Sequence, residues 1–416
     1  MNFGVSCTAS LKTLFLLVLC CFLSPLNAGA QNYRIEGTVF DKSSGETLPF
    51  ANVFLANTTF GAPTDTAGVY SLKATQAGTY RLTVKYLGFA TFSREVELNE
   101  TTRLNIDIYL DPLEENVEGV EVTAYKKLIK RGYYETHDSF IIEEKGPQWR
   151  KYYRVFQSVL LGGSRFASGT KILNAEVLSF EIFKDQTQIL AFASKPIKVI
   201  NNELGYELEY VLESFELDLK TRLMTFHGYP YFKELEPRNI KQLEKWQQNR
   251  WEAYRGSLRH FLKSLYADEL EESGFETAWM PFGNTNGNAA SRSYKSTSSG
   301  LSRPIDLYDY VKPGSHPGSK RFYLDALILV TAANSVEEDG YIRPPWHEYF
   351  FGKNLNNSRR NLQRSWIEIK PDKSVEFDRN GYIYNPLDFA FYGYWSFKMV
   401  GDMLPIEYQP SDFHGN

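Results

Sequence analysis

Histidine is the residue type here with the widest chemical reach, and the chain holds six: His137, His227, His260, His316, His347 and His414. A zinc hydrolase needs ligands that converge on a metal with an open position, in a His-x-x-Glu pair plus a distant His or a His-Glu-x-x-His helix. Neither spacing occurs around any of the six. Trp346-His347-Glu348 follows Pro344-Pro345 and sets an imidazole beside a carboxylate, the makings of an acid–base pair. Adjacent side chains rarely aim at one point, so a packing or surface role is expected there. His260, beside Arg259 in an amphipathic stretch, reads as a hydrogen-bonded structural residue.

Nucleophile motifs are equally sparse. There is no Gly-x-Ser-x-Gly elbow and no Gly-x-x-x-x-Gly-Lys-Ser/Thr loop. Gly256-Ser257 falls inside an expected helix, where the serine lacks an exposed turn. The acidic runs Glu271-Glu272 and Glu337-Glu338-Asp339 read as solvated faces. A glycosidase would need two carboxylates converging from separate elements. The expectation is therefore no catalytic, cofactor-binding or metal-ligating residue, and no cofactor.

The compartment is easier to read. Residues 1–30 look like an export leader: Lys12 is their one charge, Leu14 to Leu26 is mostly apolar, and Ala28-Gly29-Ala30 supplies a small-residue cleavage site. The expected mature start is Gln31. All three cysteines (Cys7, Cys20, Cys21) lie in that leader, so disulfides, thiolate metal sites and a cysteine nucleophile are excluded from the mature chain. Without Lys12 the 46 basic residues become 45 against 50 acidic, a balance that offers no general attraction to nucleic acid. Aromatics make up 15% of the chain, which points first to a large β-rich core.

The elements follow from periodicity. In Tyr33–Phe40 the residues Ile35, Gly37 and Val39 share one face, the period-two pattern of a half-buried strand. Phe50–Leu55, Val69–Leu72, Tyr80–Tyr86 and Leu104–Ile108 continue it, broken by Gly, Pro and Asp turns as in a β-sandwich. Asp41 and Asp65 are expected to close turns and not to bind calcium. Four motifs in order, Gly37-Thr38-Val39-x-Asp41, Pro49-x-Ala51-Asn52-Val53, Asp65-x-x-Gly68-x-Tyr70 and Val84-x-Tyr86-x-Gly88-Phe89, resemble the carboxypeptidase-like regulatory domain. That resemblance implies a prealbumin-like sandwich, common at the front of exported Bacteroidetes-type envelope proteins and of TonB-dependent receptors. The run 117–124 (VEGVEVTA) is similar to the short strand that often follows it. Later stretches at 195–206, 253–265 and 393–405 resemble an uncharacterised exported group carrying the same module; that group lends no catalytic residues.

Beyond the module, strands are expected across 125–235, with a short helix at Trp149–Leu161 stopped by Gly162-Gly163. Residues 237–266 read as one long amphipathic helix packed on the preceding sheet, with Lys241, Lys245, Arg255, Arg259 and Lys263 mostly on the other side, expected as a solvated face with a partner face as the alternative. The expected fold class is mainly β, α+β overall. The expected organisation is a leader over 1–30, a regulatory β-sandwich over 31–115, a β-rich region over 116–282 with helix 237–266, a flexible Gly/Asn/Ser loop over 283–303, and a C-terminal β-rich segment over 304–416 packed with 116–282. These features together point to a non-enzymatic cell-envelope scaffold or interaction protein, exported to the periplasm or associated with the outer membrane, with envelope proteins or surface glycans as partners. Two alternatives stay open: an envelope peptidase or glycan hydrolase with an unrecognised site, and a small outer-membrane β-barrel.

Overall fold

The computed structural model describes residues 33–99, 103–113, 139–183, 187–220, 223–280, 302–342 and 361–410. The expected leader, the 117–124 run, His137, Trp346-His347-Glu348, His414 and nearly all of the expected 283–303 loop lie outside the described residues.

The first module is built from β1 (Tyr33–Asp41), β2 (Asn52–Leu55), β3 (Gly61–Pro63), β4 (Val69–Ala74), β5 (Gly78–Lys85), β6 (Phe92–Leu98), β7 (Arg103–Asn105) and β8 (Ile108–Leu110). They form two facing four-stranded sheets, β4-β1-β7 with β8 also on β1, and β3-β2-β5-β6. Alternation drives this: Tyr33, Ile35 and Val39 from one sheet and Val53, Leu55, Leu82 and Val84 from the other are buried in a shared core. β1 pairs with β7 over Arg34–Glu36 and with β8 over Val39–Asp41. The changeover falls at Gly37, where a Cβ would sit 1.9 Å from the Ile106 carbonyl oxygen. One strand boundary differs from expectation. Phe50 lies outside β2, at φ 62° and 68% exposed, so the strand starts at Asn52.

The second body is a seven-stranded sheet of β9 (Ser139–Ile142), β10 (Thr170–Ile172), β11 (Leu178–Phe183), β12 (Gln188–Ala193), β13 (Ile197–Asn201), β14 (Tyr206–Asp218) and β15 (Met224–Glu234). Helix α1 (Pro147–Leu161) lays Trp149, Tyr152, Phe156, Val159 and Leu160 on it at helical spacing. Phe156 meets the rings of Phe180 and Phe215 at 5.8 and 4.7 Å, and the Trp149 indole N–H donates to the Leu178 carbonyl at 2.9 Å. Gly162 ends α1 at φ 91°, and Ser164 caps the short α2 (Arg165–Ser168). A 3-10 turn at Ala175–Val177 separates β10 from β11.

The expected single helix over 237–266 is two helices, α3 (Ile240–Tyr254) and α4 (Leu258–Ala267). Gly256 adopts φ +72°, which breaks the first helix, and the Ser257 hydroxyl accepts the His260 N–H to start the second. α3 packs back on the preceding sheet: Arg250 Nε donates to the Leu204 carbonyl and Trp246 Nε1 to that of Asn202. α4 packs forward, burying Phe261, Leu262 and Leu265 against the last sheets. Those are β17-β16-β20-β21-β23 and β18-β19-β22, from β16 (Phe275–Met280), β17 (Arg303–Pro304), β18 (Val311–Pro313), β19 (Lys320–Phe322), β20 (Leu327–Val336), β21 (Leu362–Ile369), β22 (Val375–Phe377) and β23 (Phe389–Gly393). Among the described residues every strand order is an open path, and no helix is long and apolar enough to cross a membrane.

Gly205 tests how tightly α3 is seated. It sits at φ +71°, and a Cβ there would lie 2.4 Å from the Trp246 ring. Gly205→Ala is expected to cost about 3 kcal/mol, from backbone strain plus overpacking. Gly45→Ala, also at positive φ but with nothing within 4 Å, should cost only about 1 kcal/mol. Urea unfolding of the two variants measures the difference.

Candidate functional site

Three bodies meet at residues 57–59. The Asn57 N–H donates to the Pro230 carbonyl at 2.7 Å, and the Phe232 N–H donates to that of Thr58 at 2.9 Å, so the sandwich caps the open edge of β15. The Ile406 N–H donates to the Asn57 carbonyl at 2.7 Å, and Glu407 accepts both the N–H and the hydroxyl of Thr59. Phe54 and Ala56 of the sandwich pack on Val211 and Tyr231 beside this seam.

Arg259 fastens the tail from the other side. Its guanidinium donates to the carbonyls of Asn380 (3.1 Å), Pro405 (2.9 Å), Ile406 and Tyr408 (2.9 Å). Burial holds Arg259 below the usual arginine range, and burial likewise pushes the Glu407 and Asp378 carboxyls up. A second polar bridge joins sandwich to tail. Arg81 donates to Glu95 (2.6 Å) and to the Tyr382 hydroxyl (3.3 Å). His316 lies between Glu95 (3.4 Å) and Glu376 (2.8 Å) and stacks on Tyr384 at 3.9 Å. Burial would raise the Glu376 carboxyl, but hydrogen bonds from Ser319, His316 and Ser315 outweigh it and hold the group down at about 2.

Between these fastenings lies a cleft of about 580 Å³. Its walls include Phe226 and Tyr229 of β15, Ile383 and Phe391 of the last segment, and Met403 and Leu404 of the tail. His227, Lys398 and Asp402 also line it. Asp402 is 9% exposed and accepts the Ser164 hydroxyl at 2.5 Å; its other oxygen is buried with no hydrogen-bond partner. Burial, opposed by Lys398, pushes this carboxyl up to about 7. Burial pulls Lys398 down, and its ammonium sits 5.5 Å over the Tyr394 ring. Burial, then Arg81, pulls His227 down.

The residues singled out from sequence take structural places. Asp41 accepts the Ser43 N–H and hydroxyl, and Asp65 accepts the N–H groups of Ala67 and Val69, so both close turns. His260 accepts the Gly256 N–H at 3.2 Å and lies between Tyr254 and Phe275; burial first, then Lys263 and Arg255, brings it down to about 4. Among the described residues no group of three His, Asp or Glu could hold a metal ion. The expectation of a solvated basic face on the helix fails for two residues. Arg259 faces the tail, and Lys263 donates to Gln409 at 2.9 Å. Lys398 and Asp402 escaped notice in the sequence because nothing local distinguishes them in an aromatic tail.

Residues 35–122 match the family model of the CarboxypepD_reg-like domain. The leading sandwich is a carboxypeptidase-regulatory-like domain. No curated protein matches the chain. Solved structures with some likeness include the group B streptococcus pilus 2b backbone protein (18% identity over 19% of this chain and 41% of that one, TM-score 0.16). They also include a streptococcal ancillary pilin (12% identity, 51% and 61%, TM-score 0.19) and a DUF3823 family protein from Bacteroides uniformis (11% identity, 49% and 100%, TM-score 0.17). The chain spans less than two thirds of either pilin. TM-scores this low carry no argument about fold or function.

Two measurements probe the site. Arg259→Met leaves buried carbonyls at Pro405, Ile406 and Tyr408 without this donor, which is expected to cost about 3 kcal/mol or more. Limited proteolysis should then cut near residues 405–408 before the rest of the chain. Asp402 has a folded-state pKa above its unfolded value of 3.8, so it favours the fold below pH 4 and loses that contribution as pH rises through about 7. Asp402→Asn should flatten the fall in unfolding midpoint between pH 4 and 7.

Proposed function

We propose that this is a non-enzymatic envelope protein in which the regulatory-like sandwich acts as an interaction and stabilising module. The observation that carries the reading is how the sandwich divides its surface. Its polar groups on one side are spent on docking, through Thr59 to Glu407, Arg81 to Tyr382 and Asn52 to Glu209. Elsewhere it leaves Phe50, Leu87 and Tyr109 at 68%, 67% and 53% exposed, single apolar anchors available to a partner. In this reading the leader is removed after Ala30, the protein works in the periplasm or at the outer membrane, and its partners are envelope proteins or surface glycans. The near-even charge balance supports leaving nucleic acid aside.

The hydrolase alternative draws on one observation, that His227, Lys398 and Asp402 line a single cleft. Against it, Asp402 is 9% exposed and already holds the Ser164 hydroxyl, and Ser164 itself is 2% exposed. Affinity capture with crosslinking from the envelope fraction separates the two. Phe50→Gly, Leu87→Ser and Tyr109→Ser together are expected to cut partner recovery severalfold at an unchanged melting temperature. Robust peptide or glycan hydrolysis by the purified protein, lost in Lys398→Met, would replace this reading with the enzymatic one.

A further inference from the structure

We propose that the junction cleft is a binding site for an amphipathic anion: an apolar body seated between Phe226, Tyr229, Ile383, Phe391, Met403 and Leu404, with a carboxylate or sulfonate head on the Lys398 ammonium. The inference goes beyond the interaction role and does not rest on it.

Four observations converge. The first is size, since about 580 Å³ is the space small-molecule sites occupy. The second is the lining. These six side chains are each partly buried: one side packs on the neighbouring cores and the remaining apolar surface faces the cleft. Met403 adds an adaptable surface, as methionine does at sites that accept varied shapes. The third is Lys398. Among the described residues no acceptor oxygen lies within hydrogen-bond distance of its ammonium; its near contact is the Tyr394 ring. A half-buried ammonium without an acceptor is unfavourable, and an anionic head would supply what it lacks.

The fourth is the balance of charge in the cleft. Arg81, Arg259 and Lys398 line it, against Asp388 and Asp402; Arg81 is already paired with Glu95 and Arg259 with backbone carbonyls, so Lys398, which also feels Asp402 and Glu338, is the cation left to meet a ligand. Asp402 does not cancel Lys398 in mildly acidic to neutral conditions, because burial keeps its carboxyl largely protonated up to about pH 7. A neutral sugar hydroxyl would accept from Lys398 only weakly, whereas an anionic head makes the stronger, charge-assisted bond.

The test uses the full mature chain and 1-anilinonaphthalene-8-sulfonate, an aromatic anion that fluoresces in apolar sites. Saturable one-to-one binding is expected. Dodecanoate and 1-naphthoate, both below aggregation, should displace it; whichever is stronger distinguishes an alkyl from an aromatic body. Dodecan-1-ol, with the same chain and no charge, should need at least tenfold higher concentration. Lys398→Met should weaken dodecanoate about tenfold and leave dodecan-1-ol unchanged, while Met403→Trp, which fills the cleft, should abolish both. Should a variant fail to fold, wild-type protein alone decides: at equal concentration dodecanoate raises its melting temperature clearly more than dodecan-1-ol does. No saturable binding, equal displacement by acid and alcohol, or binding indifferent to both folded variants overturns the proposal. Partner capture that survives such a result keeps the interaction reading separate.

Discussion

A stretch of irregular backbone can be buried only if something donates to its carbonyls. Over residues 405–408 that donor is Arg259, whose planar fork reaches three tail carbonyls and a fourth at Asn380. A lysine could not do this, because its donors radiate from a single nitrogen. With the tail held, Ile406 and Glu407 present an N–H and a carboxylate to residues 57–59, and the sandwich gains a fixed seat. Helix α4, the tail and the sandwich are therefore linked in series. The break at Gly256 belongs to the same chain of cause, since it turns α4 toward the tail in place of continuing α3.

The seam is polar, and that has an energetic signature. Buried charges are costly unless paired and fully hydrogen-bonded. Here Glu407, Asp378 and Asp402 each keep one oxygen without a partner, and burial raises all three. Such groups favour the fold at mildly acidic pH and weaken it as they ionise. Glu376 runs the other way: its serine and histidine donors favour the ionised form, and that contribution is lost as pH falls toward about 2. The two tendencies set a window of greatest stability below neutrality and above strong acid.

Local pattern carried the sandwich. β1, β4 and β5 alternate so cleanly that Ile35, Val39, Tyr70, Leu72, Leu82 and Val84 could be placed in a core from sequence. Phe50 was misplaced because a Pro-Phe-Ala entry reads as strand, whereas its backbone turns left-handed. The helix break was missed because the apolar spacing runs on through Gly256, and periodicity does not register a single left-handed residue. Arg259, Lys398 and Asp402 were illegible for a deeper reason. Their partners lie at Tyr408, Tyr394 and Ser164, and only Tyr394 is a sequence neighbour of its mate. A charge looks solvated until the chain that covers it is in place.

The cleft lies beside an irregularity in the sheet. Protein interiors are close-packed, so a space of this size between apolar side chains needs something to hold its walls apart. β14 and β15 pair in register up to Leu212 and resume at Ser214, leaving Glu213 as a bulge. A bulge bends its strand and sharpens the local twist. Burial raises the Glu213 carboxyl, and Thr91 and Lys85 of the sandwich oppose that rise, so the bulged residue faces the docked module. Opposite it lies Gly228, where a Cβ would come within 2.4 Å of the Tyr210 ring. Phe226, His227 and Tyr229 flank that glycine and all line the cleft. The bulge, the glycine opposite it and the cleft-lining side chains of β15 therefore sit together at the place where the sandwich docks on this sheet.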